Sequence, residues 1–443
     1  MTPIPRAERA PRFFYGWVIV GVMAAVGGLS MALGTLNFGL FIKPMGDELG
    51  IGRATFGWAQ SSRQIASALT ALQVGALLDR YGARVLLTIS ALVTGLAVAA
   101  LAFVDAGWQL IVLFALMGVV GMSGPGALVS TVPVTKWFVH KRGKALAAMS
   151  LGNPIGGLIF IPLTQIFIDD FGWRQAWIYL AIIGTSLILP LAIVFVRREP
   201  EDMGLLPDGA APRTPARQPA AGQRAAAVAR REEPAWTRAQ ALRSPAFWRL
   251  VAVFSVVQMA TNSVGVHRIP SFMDRGFDPI LISYATALDA AAVGVTTIGL
   301  GLLTSRVASR YLGASGFVML AISSALTIVA ADHVVMFISM IVFGLGIGGT
   351  MLMQNYLWAE YFGRRHLGSI RGAMMPIMLL LGGAGPPLAG YVLDATGSYT
   401  PAWATSTVLM AVGAVVLART PPPGAPDATA ADDPPANAPA TTG

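Results

Sequence analysis

Long apolar runs separated by short polar segments dominate the chain. They fall at about 15–42, 54–78, 85–104, 108–135, 145–168 and 173–196, then again at about 247–272, 280–304, 312–331, 334–360, 371–393 and 401–418. A helix needs about 17–25 apolar residues to cross a hydrocarbon core roughly 30 Å thick, so the pattern predicts an all-α polytopic membrane protein with twelve transmembrane helices. The first run is too long for a signal-peptide core and lacks a small-residue cleavage site just beyond it, so it is read as a retained span. Trp17, Trp108, Trp137, Trp173, Trp248 and Trp403 stand at span ends, where an amphipathic ring favours the headgroup layer.

Two polar stretches interrupt this pattern. Residues 199–242 are rich in Pro, Ala and Arg, and the tail from Pro421 is Pro, Ala, Thr and Asp. Neither can bury enough apolar surface to offset chain entropy. The expected organisation is a six-helix bundle over 13–198, a disordered cytoplasmic linker over 199–245, a second six-helix bundle over 246–419 and a disordered cytoplasmic tail over 420–443.

Composition agrees: of 443 residues, 55% are hydrophobic and 12% charged, whereas soluble domains carry about 25% charged residues. The net charge of +9 could suggest nucleic acid, but the charges sit in short clusters between apolar runs. With an even number of spans, both termini share one side. If that side is the inside, the inner segments hold 25 Lys or Arg and the outer ones only Lys43, Arg53, Arg174, Arg268 and Arg275. That asymmetry predicts cytoplasmic termini in a plasma (inner) membrane. Acids populate the outer loops instead, among them Asp47, Glu48, Asp105, Asp169, Asp274 and Asp278.

Catalytic and cofactor signals are absent. The chain has no cysteine, its four histidines (140, 267, 333 and 366) are scattered, and no phosphate-binding loop occurs, so no metal, no cofactor and no enzymatic role are expected. Gly344-x-Gly346-x-x-Gly349 matches a dinucleotide fingerprint by letters only, since it lies inside an apolar run.

The halves echo each other at an offset of about 224–229 residues. Lys136-Trp-Phe-Val-His-Lys-Arg142-Gly143 matches the segment from Glu360 to Arg371-Gly372, and Gly75-Ala-Leu-Leu-Asp79-Arg80 matches Gly301-Leu-Leu-Thr-Ser305-Arg306. Repeated six-span halves around a midplane site are a recurrent transporter architecture. Gly75-Ala-Leu-Leu-Asp79-Arg80-Tyr81-Gly82-Ala83-Arg84 resembles the signature loop between the second and third spans of the major facilitator superfamily. Within it, Tyr15-Gly-Trp17, the segment from Trp137 to Ala147, and Gly385-Pro-Pro-Leu-Ala-Gly-Tyr-Val-Leu-Asp394-Ala-Thr-Gly-Ser-Tyr399 resemble the monocarboxylate transporter family and its microbial relatives. The resemblance implies two pseudo-symmetric six-helix bundles. It also implies that Asp79, Arg80 and Arg84 make conformational gating contacts that hold the outward-open state.

Charge inside a span costs about 2.5–3.5 kcal/mol on insertion scales and marks a candidate site. Arg63 lies 16 residues before Asp79 on the second span, roughly 24 Å from its inner end at 1.5 Å per residue. Asp289 lies 16 residues before Ser305, the equivalent of Asp79, so Arg63 and Asp289 are repeat-related positions of opposite sign. Both are expected to face the cavity between the halves, Arg63 holding a substrate carboxylate with its planar fork. Asp289 is expected to carry the coupled proton, its charge made costly by desolvation. The bland alternative is a structural Arg63–Asp289 ion pair that locks the halves. Monocarboxylate transporters carry an Arg four residues after the eighth-span Asp, where this chain has Val293, and tend to carry a first-span Lys, where it has Thr35 and Asn37.

Gln60, Arg63, Gln64 and Ser67 form one polar stripe at helical spacing. Further substrate-binding candidates are Asn37 and its near-equivalent Asn262, Gln258 one turn before Asn262, and Ser130 and Thr131, which correspond to Gln354 and Asn355. Helix–helix hydrogen bonding is the competing reading for each. Asn153-Pro154-Ile-Gly156-Gly157 resembles the Gly-Pro motif of drug antiporters, but it is read here as a bent helix with close packing. His267 is expected to be a solvated loop residue at the outer end of the seventh span.

The leading expectation is a monomeric, proton-coupled carrier of small organic anions, with protons, substrate and the lipid bilayer as its partners and no nucleic acid. The alternatives are a drug or metabolite efflux antiporter and a non-transporting membrane receptor.

Overall fold

The structure, a computed structural model, describes residues 14–31, 35–120, 128–138, 141–197, 199–203, 205, 208, 236–304, 306–363 and 366–424. Most of the expected linker and nearly all of the expected tail lie outside the described residues. Among the described residues every regular element is a helix, and the helices make twelve spans in two six-helix bundles.

Span 1 is Gly16–Met31 followed by Thr35–Leu49. Spans 2 and 3 form one helical stretch, Arg53–Leu101, which reverses at Gly82 (φ 79°, ψ 164°). Gly107–Val119 and Leu128–Trp137 make span 4. Span 5 begins with Arg142–Ser150 and continues into Gly152–Pro190, which reverses at Gly172 (φ 78°, ψ 161°) and continues as span 6. At both reversals the backbone occupies a region essentially restricted to glycine. Spans 7 to 12 are Pro245–Asp274, Pro279–Leu303, Ser309–Val329, His333–Phe362, Leu367–Thr396 and Thr400–Ala418. The described helices of spans 1 and 4 are 10–16 residues long, and span 2 carries the polar run from Gln60 to Gln64. These three are the spans that do not meet length and hydropathy criteria for crossing a membrane as single helices.

Each half has its own apolar core, one built around Phe41, Phe114, Trp137 and Trp177 and the other around Phe254, Phe317, Trp358 and Phe362. A third cluster bridges them, with Leu40 and Ile161 of the first half against Ile269, Phe272 and Ala290 of the second. Span 2 packs on span 11, span 5 on span 8 and span 1 on span 7. Among the described residues, the hydrogen bonds that join the two halves run from residues 43–61 to residues 274 and 383–394. All of them lie toward the end opposite the linker, called here the distal end. Nearer the linker end the same helices expose Leu69 (71%) and Leu380 (61%).

The segment Asn153–Gly157 works in packing. A side chain at Gly156 would strike the carbonyl oxygen of Gly28, and one at Gly152 would strike the carbonyl of Ala24, so the small residues let spans 1 and 5 touch backbone to backbone. Gly156→Val is expected to cost roughly 1–3 kcal/mol through this overpacking, read as a lower melting temperature of the purified protein. A melting temperature equal to that of the parent would refute the packing role.

Candidate functional site

Proline lacks a backbone N–H, so a residue four positions before it in a helix has a carbonyl with no helical donor. Pro386 and Pro387 sit side by side within span 11, which orphans the carbonyls of Gly382 and Gly383. Both find donors on other spans, as backbone groups in an apolar setting must. Asn262 of span 7 donates its Nδ2–H to Gly382 at 2.9 Å, and the Ser61 hydroxyl of span 2 donates to Gly383. Gln258 in turn donates to the Asn262 side-chain oxygen at 2.8 Å. Gln64 lies beside Gly383, 3.7 Å from where its Cβ would be. Gln64, Gln258 and Asn262 are therefore brought together at one point between the halves, all only half-buried.

One residue from this junction along span 2, Arg63 is 6% exposed. Its guanidinium carbon lies 6.0 Å from the centre of the Phe114 ring, and Phe114 in turn packs on Phe38 at 4.4 Å. The cation is thus lodged where spans 1, 2 and 4 meet inside the first half. Asn37 and Gln60, on spans 1 and 2, are buried as well.

Asp289 has a different setting from the one expected. Its Oδ2 accepts from Nη2 of Arg268, with side-chain exposures of 3% and 1%. The Arg268 guanidinium sits 4.0 Å over the Phe343 ring. Asp289 Oδ1 faces Gly344 of span 10, where an added Cβ would come within 2.6 Å. It is the next residue, Ala290, that meets Gly157 of span 5. One step along a helix turns a side chain by about 100°, so Asp289 points into its own half. Three expectations are corrected accordingly. Asp289 does not share a central cavity with Arg63. The structural ion pair involves Arg268 rather than Arg63. Arg268 is a buried span residue rather than an outer loop charge.

His267 is also corrected. It is fully buried, with Nε2 2.8 Å from the Pro386 carbonyl oxygen and Nδ1 3.2 Å from the Tyr399 hydroxyl. A carbonyl only accepts, so Nε2 carries the proton and Nδ1 accepts from Tyr399.

The remaining candidates lie elsewhere. Gln354 contacts the Met378 sulfur at 3.6 Å. Asn355 donates to the Met351 carbonyl at 2.9 Å and accepts from Arg371, nearer the linker end than the Gly382–Gly383 junction. Thr131 is half-buried on span 4, while the side chains of Ser130 and Asp79 lie outside the described part. Arg80 and Arg84 are exposed, Arg80 with its guanidinium 5.3 Å from the Tyr81 ring centre. Sequence reasoning passed over Ser61, Arg268 and the glycine pair, although the Gly382-Gly-Ala-Gly-Pro386-Pro spacing already implied two carbonyls in need of donors.

The profile of the Major Facilitator Superfamily matches residues 22–385 and 269–442. Among curated proteins, monocarboxylate transporter 11 of Homo sapiens is 26% identical, over 94% of this chain and 84% of that protein. A probable sulfoacetate transporter of Cupriavidus necator is 25% identical, over 90% of this chain and 92% of its own length. Among solved structures, a D-xylose–proton symporter aligns with a TM-score of 0.65 at 14% identity, covering 91% of this chain and 97% of that one. A bacterial homologue of the human lysosomal transporter Spinster aligns with a TM-score of 0.67 at 13% identity, covering 93% and 97%.

Removing one partner of a buried ion pair leaves a bare charge and costs about 3–5 kcal/mol, whereas replacing both with apolar groups is often close to neutral. Asp289→Asn alone is therefore expected to lower the melting temperature well beyond the Arg268→Met/Asp289→Leu double substitution. Equal losses would argue against the pairing.

Proposed function

This chain belongs to the major facilitator superfamily, and on that footing we propose that it is a secondary active transporter of small, monocarboxylate-like organic anions, coupled to protons and working by alternating access. The observation that carries the reading is Arg63, a guanidinium enclosed among Phe38, Phe114 and the helices of the first half. A cation so placed suits a ligand with a carboxylate, which its fork can hold bidentately. Two relatives, one named as a monocarboxylate transporter and the other as a probable sulfoacetate transporter, share that chemistry by name.

In this reading the substrate carboxylate binds Arg63. Gln60 and Asn37 flank it, and the half-buried Gln64, Gln258 and Asn262 take the rest of the molecule at the junction of the halves. Thr131, Ser130, Gln354 and Asn355 line the route toward the linker end. Asp289 carries the proton: neutral, it loosens its hold on Arg268 and frees spans 7, 8 and 10 to shift. Asp79, Arg80 and Arg84 clasp the linker end when the distal end opens. The lysine and arginine asymmetry of the loops supports a cytoplasmic linker and cytoplasmic termini; in this reading the conformation joined at its distal end is the one that faces inward.

Uptake of labelled lactate, pyruvate and sulfoacetate into proteoliposomes, with and without an inward proton gradient, tests the proposal. A charge-assisted hydrogen bond is worth about 1.5–3 kcal/mol, so Arg63→Gln is expected to weaken anion uptake roughly tenfold to a hundredfold while the protein stays folded. Asp289→Asn is expected to lose acceleration by the gradient yet keep counterflow. Normal uptake by Arg63→Gln would overturn the site, and binding without flux in the parent protein would favour a receptor.

A further inference from the structure

The distal end holds a set of contacts that the anion site does not use. Span 2 begins at Arg53, and its N-cap residue is Gly52, which has no side chain to accept from the first turn. The first N–H groups of a helix have no partner within it and must find one outside. Here the acceptor comes from the other half. Asp394, near the end of span 11, takes the Arg53 N–H on Oδ1 at 3.2 Å and the Ala54 N–H on Oδ2 at 3.3 Å. The carboxylate also sits at the positive end of the helix dipole. The Arg53 side chain reaches Asp274 of span 7, contacting its two oxygens at 3.1 and 3.2 Å, and Lys43 of span 1 meets the same carboxylate at 2.9 Å. Trp58 donates to the Tyr391 hydroxyl at 3.0 Å one turn further along.

The internal repeat says where a matching contact would stand. Asp394 and Asp169 are 225 residues apart, and Arg53 and Pro279, which open spans 2 and 8, are 226 apart. The symmetric partner of this cap would be Asp169 of span 5 on the first turn of span 8. That position is already taken. Asp278, the residue before span 8, caps its own helix by accepting from the Ile280 N–H at 2.8 Å. Asp169 instead accepts from Gln165 at 2.7 Å.

We propose that the distal end is closed by an asymmetric latch, in which Asp394 serves as the N-cap of span 2 across the boundary between the halves while the span 5–span 8 edge is self-capped and holds no equivalent. Distal opening must then strip span 2 of its cap, whereas span 8 keeps its own in every state. The span 2–span 11 edge controls the opening, and the opposite edge follows.

The absence of native cysteine makes this testable with a single introduced thiol. Ser61 is buried against span 11, so Ser61→Cys reports whether this interface is reached from the distal side. In vesicles, a membrane-impermeant maleimide applied to the distal face is expected to label this parent slowly. Loss of a helix cap shifts an equilibrium by roughly tenfold, so Asp394→Ala should raise the labelling rate about tenfold. Asp394→Asn, which keeps one acceptor oxygen, should fall between parent and Ala, and it also serves as the test should the alanine variant not fold. Asp169→Ala should label no faster than the parent. Parent-like labelling in Asp394→Asn and any folded Asp394→Ala, or an equal rise in Asp169→Ala, would overturn the latch. The assay needs no substrate, so its outcome is independent of the anion reading.

Discussion

Two carbonyls on span 11 cannot be satisfied within their own helix, because the residues four positions on are Pro386 and Pro387. In water this would cost little. In hydrocarbon each orphan is costly, so Gly382 and Gly383 need donors from neighbouring spans. Asn262 supplies one from within the second half, and Ser61 supplies the other from the first. The glycines let those donors approach the backbone. A local defect in one helix thereby fixes where the two halves touch, and half-buried amides collect around the point of contact.

The same requirement governs the ends of the helices and the charges within them. Span 2 starts on a glycine and takes its cap from Asp394 of the opposite half, whereas span 8 starts on Asp278 and needs no help. Arg268 and Asp289 neutralise each other across spans 7 and 8, over the Phe343 ring and against Gly344 of span 10. Arg63 is held in the other half beside Phe114. The two guanidiniums thus have different surroundings: Arg268 stands beside a carboxylate on the neighbouring span, and Arg63 lies beside the Phe114 ring.

Much of this was legible in the linear pattern. The apolar runs, the tryptophans at their ends and the echoed motifs gave twelve spans in two halves, since crossing a bilayer imposes a length and a composition that any such helix has to show. The intramembrane charges at 63 and 289 were visible for the same reason: an ionisable residue inside an apolar run stands out. The repeat also placed them at equivalent depths.

What the pattern could not supply was direction around each helix. Every face of a membrane helix is apolar, whether it meets lipid or protein, so hydropathy carries no signal for the side that faces the partner half. The linear pattern therefore points Asp289 at the cavity, although it turns one residue away, and makes Arg268 look like a loop charge because it stands only six residues from the end of span 7. His267 misleads in the same way, as its carbonyl partner comes from span 11 and its hydroxyl partner from Tyr399, the residue before span 12. The sequence by itself determined the number of helices, their order and their charged positions, because those follow from local composition. The tertiary structure alone decided which polar groups meet, because a partner on another span is chosen by how the helices rotate and pack.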